Sequence, residues 1–297
     1  MTALGFLGLG QMGSAIAERL QAEMPGLHVY DPAPAALAPF VERGAVAHNG
    51  VAAVADAAEI VFACLPDAAV SECTATQAAQ GGAVRLYIEM STIGSATLQR
   101  IAAIMAPRGV DVLDCPISGG PKGARAGTLS VMAAGKPDVV ARAMPYLDQI
   151  GRTIFVVGER PGQAQLMKLV NNLINAANMA TAFEALVLGA KGGLDADMMV
   201  QVINASTGRN SATTDKVPKS VLGGSFDYGA RLATMHKDVV LGLAEADALG
   251  VPMWVHRNVG ELWRFAMTQG MGEADFTSLI KVLEGWAGVE VRSRKPN

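Results

Sequence analysis

The glycines of GLGQMG, Gly8, Gly10 and Gly13, stand in GxGxxG order at the end of an apolar run, 3–9. Helical periodicity through Met12, Ile16 and Leu20 follows at once. In that setting the first glycine allows a tight turn, the second a close approach of backbone to a pyrophosphate, and the third close packing of helix on strand. The helix start at Gln11 and Met12 then turns its N–H groups towards the phosphates. A lone GxGxxG says little; a strand before it, a helix after it and a second strand at 27–30 ending in Asp31 make it a dinucleotide site. Asp31 lies 23 residues past Gly8, where a carboxylate accepts hydrogen bonds from the adenosine ribose. It would repel a 2′-phosphate, and Pro32-Ala33-Pro34-Ala35 offers no cation to hold one. The expectation is NAD in preference to NADP. The competing reading of Asp31 is an N-cap for the next helix.

Proton chemistry points to the stretch GQAQLMKLVNNLINAANMATAFEALVLGAKGG, 162–193. Ala, Leu, Met and Gln dominate it and no proline interrupts it, so helix propensity is high throughout. Lys168, Asn171, Asn172, Asn175 and Asn178 recur at steps of three and four and share a face. Its other faces are apolar, the pattern of a helix buried nearly all round. The asparagines and Lys168 argue against a membrane span; a polar network satisfied within itself is the structural alternative. Ser118-Gly119-Gly120, between Pro116 and Pro121, reads as a stiff loop whose exposed N–H groups suit a small anion such as a carboxylate. Leu65-Pro66 and Ser91-Thr92 fall at the ends of apolar runs, where each alone reads as a strand stop or an N-cap. Lys237-Asp238, taken alone, reads as a surface ion pair, and Arg209 as a loop cation. His28, His48, His236 and His256 are scattered, with no metal-ligand spacing and no Ser–His–Asp arrangement.

The elements that must position these groups fall into two kinds. Up to 161, apolar runs at 45–48, 59–65, 86–90, 110–113, 129–134 and 153–157 alternate with amphipathic, Ala-rich segments, including 34–43 and 137–147. Such alternation predicts a parallel sheet with helices on both faces, with ligands beyond the carboxyl ends of the strands. From 162 onward only helical patterns appear, at 162–192, 196–205, 230–249, 254–269 and 275–287. Asp195 is a plausible N-cap, and 206–213 is a Gly/Ser/Thr-rich break. The expected fold is α/β: a Rossmann-type dinucleotide-binding domain, 1–161, then an all-α domain, 162–297, joined by the long helix. The last residues, VRSRKPN, read as a basic, frayed tail.

Composition narrows the function classes. The 297 residues are 51% hydrophobic and 17% charged, with a formal net charge of −3 and a pI near 5.8. That balance gives no electrostatic reason to bind nucleic acid or an anionic membrane. A mean hydropathy of +0.28 is high, and the excess is read as subunit interface, a homodimer or homotetramer. Cys64, Cys73 and Cys115 form no CxxC pair, which fits a reducing compartment, and cytoplasmic localisation is expected.

Four motifs in order carry a family resemblance: GFLGLGQMG at 5–13, DCPISGGPKGARAGTLSVMAAG at 114–135, GQAQLMKLVNN at 162–172, and KDVVLGLAEADALGVP at 237–252. Over nearly its whole length the chain resembles the β-hydroxyacid dehydrogenases, which include 3-hydroxyisobutyrate dehydrogenase and tartronate semialdehyde reductase. The resemblance implies an active site in the cleft between the two domains. It implies that Lys168 is the catalytic lysine, that Asn172 orients the substrate, and that Ser118, Gly119 and Gly120 hold the substrate carboxylate. It places Leu65, Pro66, Thr92 and Lys237 at cofactor-contacting positions. The decarboxylating 6-phosphogluconate dehydrogenases are similar but carry Lys-x-x-His-Asn and then a glutamate, where this chain has Asn171 and Asn175. Imine reductases share the architecture and typically lack the lysine. Cys115 and Ile117, where Ala and Val are usual, read as packing changes. The expectation is hydride transfer between NAD and a small 3-hydroxy acid without decarboxylation. Lys168 takes or gives the hydroxyl proton. The rival readings are a reductase of a small semialdehyde, such as tartronate or succinate semialdehyde, and a non-catalytic NAD-binding scaffold.

Overall fold

Alternate side chains of the central strands enter different cores. The structure, a computed structural model, describes residues 2–293, and the chain divides into two units, Met1–Lys168 and Leu169–Asn297. In the first unit, β1 (Leu4–Leu7), β2 (His28–Tyr30), β3 (Val46–Ala47), β4 (Ile60–Ala63), β5 (Leu86–Glu89) and β6 (Asp111–Asp114) pair in parallel, in the order β3-β2-β1-β4-β5-β6. Phe6 and Phe62 enter one buried cluster with Ile16, Leu20 and Leu147. Their neighbours Leu7 and Val61 enter another with Val54, Leu98 and Ile101. That period of two, with both faces covered, explains why β1, β4 and β5 are buried at every position.

The helices that cover the sheet are α1 (Gln11–Glu23), α2 (Pro34–Val41), α3 (Val51–Ala57), α4 (Ala68–Ala78), α5 (Ser95–Met105), α6 (Gly120–Arg125) and α7 (Pro137–Ile150). Strand–helix alternation predicts a sheet that is parallel throughout, and the observed sheet departs from it. β7 (Ile117–Ser118) and β6 both pair antiparallel with β8 (Leu129–Ala134), and β9 (Gly151–Gly158) then pairs parallel with β8. The connection from β6 to β8 carries β7 and the six-residue α6, and the chain turns back so that β7 pairs with β8 directly.

The long helix α8 (Gln163–Lys191) begins in the first unit and continues into the second. The second unit adds α9 (Ala196–Asn204), a π-helix at Ala212–Val221, α10 (Leu232–Ala248), α11 (Trp254–Thr268) and, after a 3₁₀ turn at Phe276–Leu279, α12 (Ile280–Ala287). Trp263 is fully buried there, in one cluster with Phe183, Leu186, Val217 and Leu279. Among the described residues its sheet-like pairing is a single bridge, Arg231 to Asp275. Asp195 caps α9 by accepting the Met198 N–H at 2.9 Å, as expected of it.

Two further expectations change. α8 is not buried nearly all round: Val170, Ile174 and Leu188 are exposed. Nor is all of 291–297 frayed. Val291 is buried and its N–H reaches Glu284 Oε1 at 2.7 Å. Arg292 pairs with the same carboxylate, and Ser293 donates to Leu222 O and Asp197 Oδ2. The remainder of that tail, 294–297, lies outside the described residues.

Candidate active site

Each glycine of GLGQMG meets a different constraint. Gly8 has φ +90°, and a Cβ there would stand 2.5 Å from the carbonyl oxygen of Cys64. A Cβ on Gly13 would stand 1.9 Å from the carbonyl oxygen of Gly8, so α1 packs on β1 more closely than any side chain allows. Around Gly10 nothing lies within 4 Å, and no side chain caps α1, whose first residues are Gln11 and Met12. A helix start with bare N–H groups beside an open glycine fits a pyrophosphate.

Asp31 stands at the end of β2 and faces this loop. Its Oδ2 accepts the Leu9 N–H at 2.7 Å and its Oδ1 accepts the Ala33 N–H at 2.8 Å. The residue before α2 is Ala33, and no side chain caps that helix, so Asp31 is not its N-cap. The carboxylate braces the glycine loop against the turn after β2, and each oxygen keeps a lone pair for a ribose hydroxyl.

The neighbouring strand ends share one buried network. The Leu65 N–H donates to Ser91 Oγ at 2.7 Å, and the Ser91 N–H donates to Glu89 Oε1 at 2.9 Å. Leu65 lies against Gly8, its Cδ2 being 2.9 Å from where a Cβ would stand; Pro66 beside it is exposed and Thr92 half-buried. Asp114, at the end of β6, accepts the N–H groups of Gly162, Ala164 and Gln165 through Oδ2, at 2.9 to 3.1 Å. It therefore caps the first turn of α8 from a distant strand. Burial pushes its carboxyl up to about 6 against those hydrogen bonds, and burial pushes Glu89 up to about 7. Motif spacing finds the strand ends but gives Glu89, Asp114 and Gln165 no task. Their signal, polar residues inside apolar runs, is too general to assign one.

Lys168 follows on α8, 8% exposed, one turn beyond that capped start. The 118–120 segment is no plain loop: Ser118 pairs with Ser130 across β7 and β8, and Gly120 opens α6. Gly119 (φ +133°) and Gly120 (φ +66°) hold backbone shapes that other residues resist, and both are exposed.

The second unit holds the remaining candidates. Asn172, 7% exposed, lies one turn past Lys168 on α8. Its Nδ2 donates to Asp238 Oδ2 at 2.6 Å, and its Oδ1 accepts from Asn171 Nδ2 at 3.0 Å. Lys237 pairs with Asp238 Oδ1 at 3.3 Å. Asp238 is 4% exposed, so Lys237-Asp238 is not the surface ion pair that the sequence alone suggests. The structure draws Asn172 and Lys237 together on one buried carboxylate. Arg209 stays outside this cluster, on an exposed turn. Among the described residues no group of His, Cys, Asp and Glu could hold a metal ion.

The profile of the NAD-binding domain of 6-phosphogluconate dehydrogenase matches residues 3–158. That described as NAD-binding of NADP-dependent 3-hydroxyisobutyrate dehydrogenase matches residues 162–283. The 2-(hydroxymethyl)glutarate dehydrogenase of Eubacterium barkeri is 35% identical, over 97% of each chain. The chain belongs to the β-hydroxyacid dehydrogenase family. A second member, the 3-hydroxyisobutyrate dehydrogenase of Pseudomonas aeruginosa, is 34% identical over 96% of this chain and 99% of its own. The Mycobacterium tuberculosis 3-hydroxyisobutyrate dehydrogenase, solved with L-serine, superposes with a TM-score of 0.87 at 29% identity, covering 95% of this chain and 99% of that one. A β-hydroxyacid dehydrogenase binds NAD or NADP, and the first unit has the Rossmann-type glycine loop for it.

Proposed function

We propose that the protein is an NAD-dependent dehydrogenase of a small, 3-hydroxyisobutyrate-like 3-hydroxy acid, acting without decarboxylation, with Lys168 as general acid and base. The observation that carries this reading is Lys168 itself, a buried lysine one turn past a helix start bonded to the ends of the nucleotide-binding sheet. When bound, NAD supplies the hydride acceptor. In oxidation the neutral Lys168 amine takes the hydroxyl proton, and in reduction the ammonium returns it. Asn172 keeps one Nδ2 hydrogen and one Oδ1 lone pair beyond its bonds to Asp238 and Asn171, enough to orient a substrate hydroxyl. Ser118, Gly119 and Gly120 hold the substrate carboxylate. Asn171 and Asn175 offer no ionisable group at the positions that assist decarboxylation in the 6-phosphogluconate enzymes.

Leu65, Pro66, Thr92 and Lys237 contact the cofactor in this reading, and Asp31 sets the preference for NAD by accepting from the adenosine ribose and opposing a 2′-phosphate. A homodimer or homotetramer belongs to the same proposal. Leu188 is 76% exposed, and Leu194, Met198 and Val202 are each more than half exposed. Met198 and Val202 lie one turn apart on one side of α9, and Leu194 just precedes its Asp195 cap, together more apolar surface than one subunit covers.

The test is the absorbance of reduced nicotinamide with purified protein, NAD or NADP, and a panel of 3-hydroxy acids. Turnover of one acid, faster with NAD, is the expected result. Clear NAD binding with no turnover of any acid, and none of the matching semialdehydes in reverse, would sink the reading.

A further inference from the structure

The start of α8 is fastened to the sheet by a side chain to which the chemistry above gives no part. Gln165 is fully buried. Its Oε1 accepts the N–H groups of Ile93 at 2.9 Å and Gly94 at 3.1 Å. Its Nε2 donates to the carbonyl oxygen of Ser91 at 3.0 Å and to Asp114 Oδ1 at 3.1 Å. Both acceptor lone pairs and both N–H groups of the amide are thus used. Ser91, Ile93 and Gly94 bracket Thr92, so the amide grips the backbone on either side of that residue. On the helix side it is tied to Asp114, the carboxylate that caps the same turn. Lys168 follows three residues later, on the same face of α8.

Filling this space does not require an amide, since a methionine has nearly the same volume. Fixing a helix in register with a turn does, because hydrogen bonds constrain direction as well as distance. We infer that Gln165 is a positioning residue for the reaction: its amide holds the helical turn carrying Lys168 in register with the turn carrying Thr92, and so sets where the Lys168 amine stands against bound cofactor. The inference rests on the assignment of Lys168 as acid and base. A misplacement on the scale of an ångström, made away from the reacting atoms, is enough to lower turnover on the order of 100-fold.

Two variants test it beside Lys168→Ala. Gln165→Met keeps the volume and removes all four bonds. Gln165→Glu keeps the shape and turns the two donated bonds into repulsion whenever the new carboxyl is ionised. The titratable groups around that position are Asp114 on β6, Glu89, which is bonded to the same Ser91, and Lys168 on the helix itself. The two buried acids hold the new carboxyl protonated at low pH, where its O–H restores one donated bond. In both variants kcat is expected to fall by roughly 10-fold or more while the Kd of NAD stays within about threefold of the parent. The Gln165→Glu kcat recovers as pH is lowered, against a pH profile for the parent that lacks this limb.

Parent-like kcat and pH profile in both folded variants would overturn the inference while Lys168→Ala remained inactive. A loss of NAD affinity as large as the loss of kcat would overturn it too, since the role would then be structural. Should Gln165→Met fail to fold, Gln165→Glu decides alone, and failure of both to fold at every pH assigns Gln165 to folding and contradicts the proposal. An active Lys168→Ala would instead remove the acid and base assignment on which the inference stands.

Discussion

In the proposed reading one carboxylate, that of Asp31, serves structure and cofactor selectivity together. Its two oxygens already accept the N–H groups of Leu9 and Ala33, so the ribose hydroxyl would meet a carboxylate that is held still. Removing it takes away the brace on the glycine loop and, in the proposed reading, the ribose acceptor as well. Asp31→Ala is expected to weaken NAD and narrow its advantage over NADP, measured as kcat/KM for each cofactor. An unchanged ratio would refute the ribose assignment. The residue type and its distance from Gly8 were enough to predict the position. The bond to Leu9 was not legible, because it depends on how the glycine loop folds back on the end of β2.

At the scale of elements, the ends of β4, β5 and β6 and the first turn of α8 form one hydrogen-bonded assembly with two buried acids. Glu89 and Asp114 are register partners on neighbouring strands, and burial raises both carboxyls, to about 7 and about 6. The folded state therefore holds these protons more tightly than the unfolded chain does. Glu89 costs nothing in stability below its ordinary value near 4.5; the cost grows as pH rises to about 7 and is constant above that. Glu89→Gln should raise the melting temperature at pH 8, by stability on the order of 1–3 kcal/mol, and leave it nearly unchanged near pH 4. Equal gains at both pH values, or none at either, would show that the acid is not strained by ionisation. Strand and helix existence was readable here from apolar runs and periodicity. The antiparallel return of β8 was not, since a run of apolar residues does not record its direction. The π-helix at Ala212–Val221 was hidden for a related reason: its Gly/Ser/Thr-rich approach looks like a loop, and π geometry has no spacing signal of its own at this length.

For the whole molecule, the order of motifs in the sequence carried the division into a sheet unit and a helical unit. The contact boundary falls after Lys168, inside the long helix that the pattern places wholly in the second part. Periodicity marks where a helix runs; it does not mark which core its first turns join, and Asp114 and Gln165 draw those turns to the sheet. Burial was less legible than position. The sequence suggests that α8 is covered on all sides, yet one chain leaves Ile174 and Leu188 exposed. If a second subunit covers that surface, Leu188→Glu combined with Met198→Glu should shift the protein towards monomer in sedimentation velocity. A parent protein that is monomeric at all concentrations would contradict the oligomer proposal.

Everything proposed for the reaction depends on Lys168 moving the hydroxyl proton, and the single-turnover and steady-state rates of Lys168→Ala measure that step. Turnover of the acid that the parent oxidises should fall by roughly 100-fold or more, with NAD binding nearly intact. Near-parent turnover in that variant would remove Lys168 from the reaction.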